Sequence, residues 1–344
     1  MATLDPTDPS TDLHGLWVPI VTPFDRHGDV DIVSLRHLAA RILADGATGL
    51  VALGTTGEPA TLTAEERRRV VESCDRVCRE TGGKLIVGAG TNSTRGTIDE
   101  IEHLTTGTSA TAALVVVPYY TRPSEHAIIE HFAAVADVSA VPIVAYNVPY
   151  RTGRGLGAAA LLEIGGHPRI VGLKQAVGAL DIDTLDVLAR SGPNFQILAG
   201  DDAFIAPTLL MGGAGAIAAA AHICTTLYVE MTARALAGDH AGASELAAAL
   251  LPLVTIGFSD PNPAVWKGAL ARHGEIATGD LRRPMTPAST AAVDRLIEEA
   301  EHLTQRFAHL FPDTGWDSVH MRIESHPASG SVAELRRDSD EDLP

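Results

Sequence analysis

The sequence predicts an α/β protein, a (β/α)8 TIM barrel carrying additional C-terminal helices. Eight short segments are apolar on both faces, as parallel strands buried beneath helices are. They recur at spacings of roughly 20–35 residues with helical patterns between them, which is what a barrel of βα units requires. The first strand runs into Thr22-Pro23-Phe24-Asp25, whereas a doubly wound sheet would carry a phosphate-binding glycine fingerprint there.

The strands are expected at Leu16–Val21, Gly49–Leu53, Lys84–Ala89, Ala113–Val117, Pro142–Tyr146, Ile170–Lys174, Phe195–Ala199 and Gly213–Ala218. Between them, Ile32, Leu35, Leu38, Ile42 and Leu43 share one helical face. Thr63 with Glu66 forms a capping box that opens a helix bearing Val70, Val71, Cys74 and Val77. Ile128, Ile129, Phe132 and Val135 mark another helix, while the Gly-rich stretch 155–165 makes the helix before Ile170 the least regular. After the eighth strand, 222–309 reads as helical throughout. Thr286-Pro287 is the expected N-cap and first-turn pair, and Val293, Leu296, Ile297, Ala300, Leu303 and Phe307 form the stripe that follows. The expected organisation is an N-terminal arm 1–12, a barrel 13–221, a helical extension 222–311 and an acidic, disordered tail 312–344.

The 344 residues carry a net charge of −17 with no basic run, which disfavours nucleic acid as a partner. Cys74, Cys78 and Cys224 make no disulfide framework. Cys74 and Cys78 share a helical face but lack a matching His/Cys pair, so they read as small core residues and no metal is expected. Residues 1–12 hold Asp5, Asp8 and Asp12 and no apolar run, unlike a signal peptide. The longest apolar run identified, Gly212–Ala221, is too short and too rich in Gly and Ala to span a bilayer, and the expected location is the cytoplasm.

In such a barrel the active site lies at the C-terminal ends of the strands. Those ends carry Gly54-Thr55-Thr56-Gly57-Glu58, Pro118-Tyr119-Tyr120, Tyr146-Asn147-Val148-Pro149 with Arg151, Lys174, and Gly200-Asp201-Asp202. Lys174 ends an apolar strand. Burial there disfavours the ammonium and leaves an amine able to attack a carbonyl, although a structural lysine could snorkel out of the same position. Tyr146, at the same level on the neighbouring strand, is the first candidate for proton transfer, provided its own pKa is lowered. The Gly54–Gly57 loop offers backbone N–H groups and two hydroxyls suited to the carboxylate of an α-keto acid, or it is an ordinary tight turn. Arg151 either grips a second carboxylate in bidentate fashion or is a solvated loop arginine. Asp201 or Asp202 is expected to cap the helix beginning near Ala203, the glycines 212–215 to serve packing within strand eight, and His222 to be structural.

These motifs, together with Arg122-Pro123, Arg151-Thr152-Gly153 and Gly172-Leu173-Lys174, occur in the order and at the strand ends found in the dihydrodipicolinate synthase / N-acetylneuraminate lyase family, which the chain resembles over roughly 14–305. The resemblance implies a barrel enzyme in which Lys174 forms a Schiff base with pyruvate and Tyr146 transfers protons. It implies that Thr56 relays the proton and that Tyr120 completes the relay by reaching into a neighbouring subunit's site. By the same analogy the backbone of Thr55 and Thr56 holds the pyruvate carboxylate, the Ile217 carbonyl sits near the lysine, Gly200 lines the site and Arg151 binds the second substrate's carboxylate. Such enzymes need no cofactor and are usually homotetramers, dimers of dimers.

Thr55, the Tyr119-Tyr120 pair, Arg151 and Gly200-Asp201-Asp202 resemble the members that condense pyruvate with L-aspartate 4-semialdehyde toward lysine and diaminopimelate. The alternatives are an aldolase acting on a sugar-derived 2-keto acid and a non-catalytic keto-acid-binding paralogue. The chain departs from the family pattern at Gln175-Ala176-Val177, where Glu-Ala-Thr/Ser is usual, and in its long tail. Ala64 and Arg67 replace the histidines of lysine-inhibited members, and Gly96 replaces a glutamate, which implies weak or absent lysine feedback.

Overall fold

The structure, a computed structural model, describes residues 11–310. The tail expected over 312–344, and all of the N-terminal arm except Thr11 and Asp12, lie outside the described residues.

Eight parallel strands close into a barrel in sequence order: β1 Gly15–Val18, β2 Gly49–Ala52, β3 Lys84–Ala89, β4 Ala112–Val116, β5 Ile143–Asn147, β6 Ile170–Gln175, β7 Gln196–Ala199 and β8 Gly215–Ile217, with β8 pairing back onto β1. Around it run α1 Ile32–Ala44, α2 Ala64–Thr81, α3 Thr94–Thr105, α4 Glu125–Val138, α5 Pro149–Thr152, α6 Ala158–Gly165, α7 Ile182–Arg190 and α8 Ile205–Leu210. Among the described residues four more α-helices follow the last strand: α9 Thr225–Leu236, α10 His240–Gly257, α11 Ala264–Arg272 and α12 Thr290–Arg306.

Alternation along the strands splits the core in two. One layer packs between strands and helices, and a smaller one fills the barrel interior with Trp17, Val51, Ile86, Leu114, Val144, Leu198 and Ile217. Trp17 is held by its indole N–H, which donates to the Leu13 carbonyl at 2.9 Å. Gly49 makes room for it, since a Cβ there would lie 2.6 Å from the Trp17 ring and 2.4 Å from the Lys84 carbonyl.

The capping box of Thr63 and Glu66 opens α2 as expected. Other ends differ from expectation. β1 stops at Val18, and Pro19, which has no N–H to give a ladder, follows it. β8 begins only at Gly215, because Gly213 N–H closes the end of α8 on the Thr208 carbonyl. Thr286-Pro287 does not open α12; Ser289 does, its side chain accepting from Ala292 N–H. α10 is, by length and composition, apolar enough to cross a membrane, a run the sequence reading passed over. Here Leu246, Leu250 and Leu253 are buried, and the helix packs against α9 and α12.

Candidate active site

β5 and β6 pair so that Tyr146 stands directly opposite Lys174. Leu173 faces the outer layer, so the period-two alternation turns Lys174 into the barrel, where only 7% of its surface is exposed. Its Nζ lies over the Tyr146 ring, 4.4 Å from the centroid. Burial pulls the Lys174 pKa down to about 8, against the opposing pull of Asp202, Tyr150 and Asp201. The snorkelling alternative therefore does not describe this lysine.

Lys174 opens into a cavity of about 230 Å³ lined also by Thr55, Thr56, Tyr146, Tyr150, Arg151, Gly200, Asp201, Asp202, Ile217 and Asn262. Val254 of α10 and Phe258 just past its end add an apolar wall. Thr55, Thr56, Arg151, Gly200 and Ile217, singled out in the sequence, thus meet Lys174 and Tyr146 in one place. Tyr120 does not join them. It is 86% exposed, with a left-handed φ of 70°, and is absent from the lining of this cavity.

Two expectations change on geometry. The Tyr146 phenol is raised, not lowered: burial dominates, and the Thr55 hydrogen bond and Arg151 only partly offset it. Tyr146 therefore stands as a neutral phenol, a proton donor first. The hydroxyl that hydrogen-bonds it belongs to Thr55, while Thr56 Oγ1 accepts from Asn262 Nδ2 at 3.0 Å. The threonine hydroxyl that meets the Tyr146 phenol is thus that of Thr55, and that of Thr56 is engaged by Asn262.

Residues 55–57 form a 3-10 turn closed by the N–H groups of Gly57 and Glu58. The N–H groups of Thr55 and Thr56 precede its first donor, Gly57 N–H, and are the ones such a turn offers to an anion. Arg151 sits on the four-residue α5. Its Nε donates to Tyr150 Oη at 3.0 Å, its guanidinium lies 4.9 Å from the Tyr150 ring centroid, and it lines the cavity.

Asp201 stands at the N-cap of the 3-10 turn Asp202–Phe204 as expected, but neither side chain makes a capping hydrogen bond. Asp201 accepts from Gly178 N–H at 2.6 Å and Asp202 from Ala220 N–H at 2.7 Å, so each ties down a different loop. Burial raises both, Asp202 to about 7, despite the hydrogen bond from Ala220 and the charge of Lys174. His222 is structural: Nδ1 donates to the Ala219 carbonyl, Nε2 accepts from Val21 N–H, and burial drives its pKa down to about 4. The three cysteines are buried, and burial pushes Cys78 and Cys224 up to about 12 and Cys74 higher still.

Gln175 turns away from the cavity into a directional chain. Asn147 Nδ2 donates to Gln175 Oε1, Gln175 Nε2 donates to Thr184 Oγ1, and the Thr184 hydroxyl donates to Asp181, the N-cap of α7. A glutamate could accept from Asn147 but could not donate onward, so the amide matches this chain's own Thr184 and Asp181.

Sequence reasoning missed Tyr150, Asn262, Val254 and Phe258. Phe258 and Asn262 belong to the Pro-rich turn between α10 and α11, a loop signal that says nothing about which strand end it reaches. A second cavity, of about 490 Å³, shares Thr55, Tyr146, Arg151 and Asn262 with the first and extends past Tyr119 to Arg67, which is ion-paired with Glu100.

A desolvated lysine beside a neutral tyrosine at the mouth of a (β/α)8 barrel defines an aldolase-type carbon–carbon lyase. The sequence profile of the dihydrodipicolinate synthetase family matches residues 12–303, and the chain belongs to that family. It is 35% identical over 284 residues to 4-hydroxy-tetrahydrodipicolinate synthase 2 of Clostridium acetobutylicum, covering 83% of this chain and 98% of that one. To 4-hydroxy-tetrahydrodipicolinate synthase of Phenylobacterium zucineum it is 39% identical over 280 residues, 81% and 93% of the two chains. Among solved structures it resembles the chloride-inhibited dihydrodipicolinate synthase of Acinetobacter baumannii complexed with pyruvate, with a TM-score of 0.80 and 33% identity over 84% of this chain and 99% of that one. It likewise resembles a monomeric dihydrodipicolinate synthase variant, with a TM-score of 0.81 and 31% identity over 86% and 99%.

Proposed function

We propose that this chain condenses pyruvate with L-aspartate 4-semialdehyde through a Schiff base on Lys174, as a 4-hydroxy-tetrahydrodipicolinate synthase in the cytoplasm. The observation that carries the reading is the Lys174 amine, buried and pulled down to about 8, standing over Tyr146 in a small cavity. The relatives' names and the pyruvate bound by the Acinetobacter baumannii enzyme support the choice of substrates.

In this reading the neutral amine attacks the pyruvate carbonyl, the carbinolamine loses water to give the imine, and a proton leaves the methyl group to give an enamine. The enamine carbon then attacks the aldehyde and forms the new C–C bond. Tyr146 donates to the departing hydroxyl and Thr55 relays the proton. The Thr55 and Thr56 N–H groups hold the pyruvate carboxylate, with Gly200 and the Ile217 carbonyl against the lysine arm. Arg151 takes the carboxylate of the aldehyde. The apolar Val254 and Phe258 beside a single arginine suit a short acidic aldehyde better than a polyol, which would want more hydroxyl-bonding groups. Tyr120, exposed on one chain, acts across a subunit boundary in a homotetramer.

Trapping with borohydride tests this. Wild type incubated with pyruvate and reduced gains the mass of one reduced pyruvate adduct on Lys174, and unreduced wild type, assayed separately, turns over aspartate semialdehyde with pyruvate but not a sugar-derived 2-keto acid. Absence of the adduct sinks the Schiff-base reading, and turnover of the keto-sugar acid alone sinks the choice of second substrate.

A further inference from the structure

The loop that faces the pyruvate cavity is bracketed by two left-handed residues, Leu53 at φ 57° and Glu58 at φ 54°. Residues with a Cβ persist in that conformation only where their surroundings over-determine it. Three consecutive loop residues are each gripped from outside the loop. Asn262 Nδ2 donates to Thr56 Oγ1 at 3.0 Å, and Thr22 Oγ1 donates to the Gly57 carbonyl at 2.7 Å. Glu58 receives two bonds: Lys267 Nζ on α11 donates to Oε1 at 2.8 Å, and Arg282 N–H donates to Oε2 at 3.0 Å.

The Lys267–Glu58 pair is fully interior, with side chains 0% and 3% exposed. Lys267 also donates to the Thr22 carbonyl at 2.9 Å, and its ammonium lies 4.1 Å from the centroid of the Phe24 ring. A buried ion pair is a poor device for stability, because desolvating two charges cancels most of their attraction and an apolar pair would pack as well. What the carboxylate supplies is direction: two acceptor oxygens set against two donors fixed on separate elements.

We propose that Lys267 and Glu58 are positioning residues through which the C-terminal helices aim the Thr55 and Thr56 N–H groups at the pyruvate carboxylate. This rests on the reading of that loop as the carboxylate holder. Neither residue lines the Lys174 cavity; the pair fixes the left-handed turn at Glu58, and the turn fixes the 3-10 segment before it. The groups that grip Gly57 and Glu58 come from outside the strands, which gives α11 a role in the reaction as well as in packing.

The test uses the full chain. The Lys267→Met/Glu58→Gln double variant removes both charges and approximates both shapes, so that no lone charge is left buried. Melting temperature is measured alongside the pyruvate concentration that half-saturates borohydride trapping, and KM is measured for each substrate separately. The expected result is a melting temperature close to wild type, a half-saturating pyruvate concentration raised about tenfold or more, and an aldehyde KM within about twofold of wild type, because Arg151 stands on a different element. Thr22→Val, which deletes one hydroxyl outside the cavity, is expected to raise the pyruvate value about threefold, and it decides the matter if the double variant does not fold. A folded double variant, or failing that a folded Thr22→Val, with wild-type pyruvate affinity overturns the proposal, as does an equal loss for both substrates together with a lowered melting temperature. Wild type that traps no pyruvate overturns the functional reading itself, and this proposal with it; wild type that traps beside an unmoved variant overturns the positioning role alone.

Discussion

The strand-borne and loop-borne halves of the site are built in different ways. Lys174 and Tyr146 stand opposite each other on paired strands, and the barrel alone decides where they point. Thr55, Thr56 and Arg151 come from a 3-10 turn and a four-residue helix, and the turn is held by groups remote in sequence, Asn262 lying 206 residues from Thr56. The Lys174 amine is thus placed by paired strands, and the groups proposed to bind the substrates by segments held through long-range contacts. Damage to the first half should appear in the chemical step and damage to the second in substrate affinity.

The sharpest break of that contrast is Lys174→Ala, expected to abolish the trapped adduct and lower turnover by about 10⁴-fold or more, read by mass and by rate. Tyr146→Phe should lower kcat by about 10²-fold to 10³-fold with little change in the KM of either substrate, since only the phenolic proton is lost. Arg151→Met should act on the other side of the contrast. The aldehyde KM is expected to rise about tenfold to a hundredfold while pyruvate trapping is unchanged, and a rise in the pyruvate requirement would refute the division of labour.

A smaller effect follows from pH. The lysine is lowered from its ordinary 10.5 to about 8 by burial, so below 8 most of it is ammonium and cannot attack. The trapping rate at limiting pyruvate should rise about tenfold per unit from pH 6 toward 7 and level off above about 8. A profile still rising steeply at pH 10 would mean that the amine is not desolvated in solution. The smallest expected effect is that of lysine, where millimolar additions leave turnover unchanged. Ala64 and Gly96 offer neither of the side chains the resemblance would require, and Arg67 is engaged by Glu100.

The same contrast explains what was legible in the sequence. Parallel strands buried on both sides are continuous apolar runs, so all eight could be read, with β3 at its observed bounds. Lys174 and Tyr146 inherited that clarity because strand periodicity fixes their direction. Errors gathered where tertiary contacts override local signals. Asp201 and Asp202 have the look of cap residues, yet they are spent on the backbones of two other loops. Thr56 has the same hydroxyl as Thr55, and only the fold reveals which one meets Tyr146. Thr286-Pro287 spells a helix start, but Ser289, three residues before Ala292, wins the N-cap.

Gly200 bears on how this site can change. A Cβ at that position would lie 2.9 Å from Lys174 Cγ, 2.8 Å from Ala176 Cβ and 2.8 Å from the Gln175 carbonyl. Two of those three neighbours cannot swing aside, since one is backbone and the other a Cβ. The lysine arm lies along a strip of bare backbone, and every non-glycine codon at 200 obstructs it. In a mutational library the position would score like a reactive residue although it has no side chain. Lineages drifting toward longer or more polar aldehydes are therefore steered away from the seventh strand. The accessible routes run through Arg151, Val254 and Phe258, where the wall of the cavity can be recut while the lysine stays where it is.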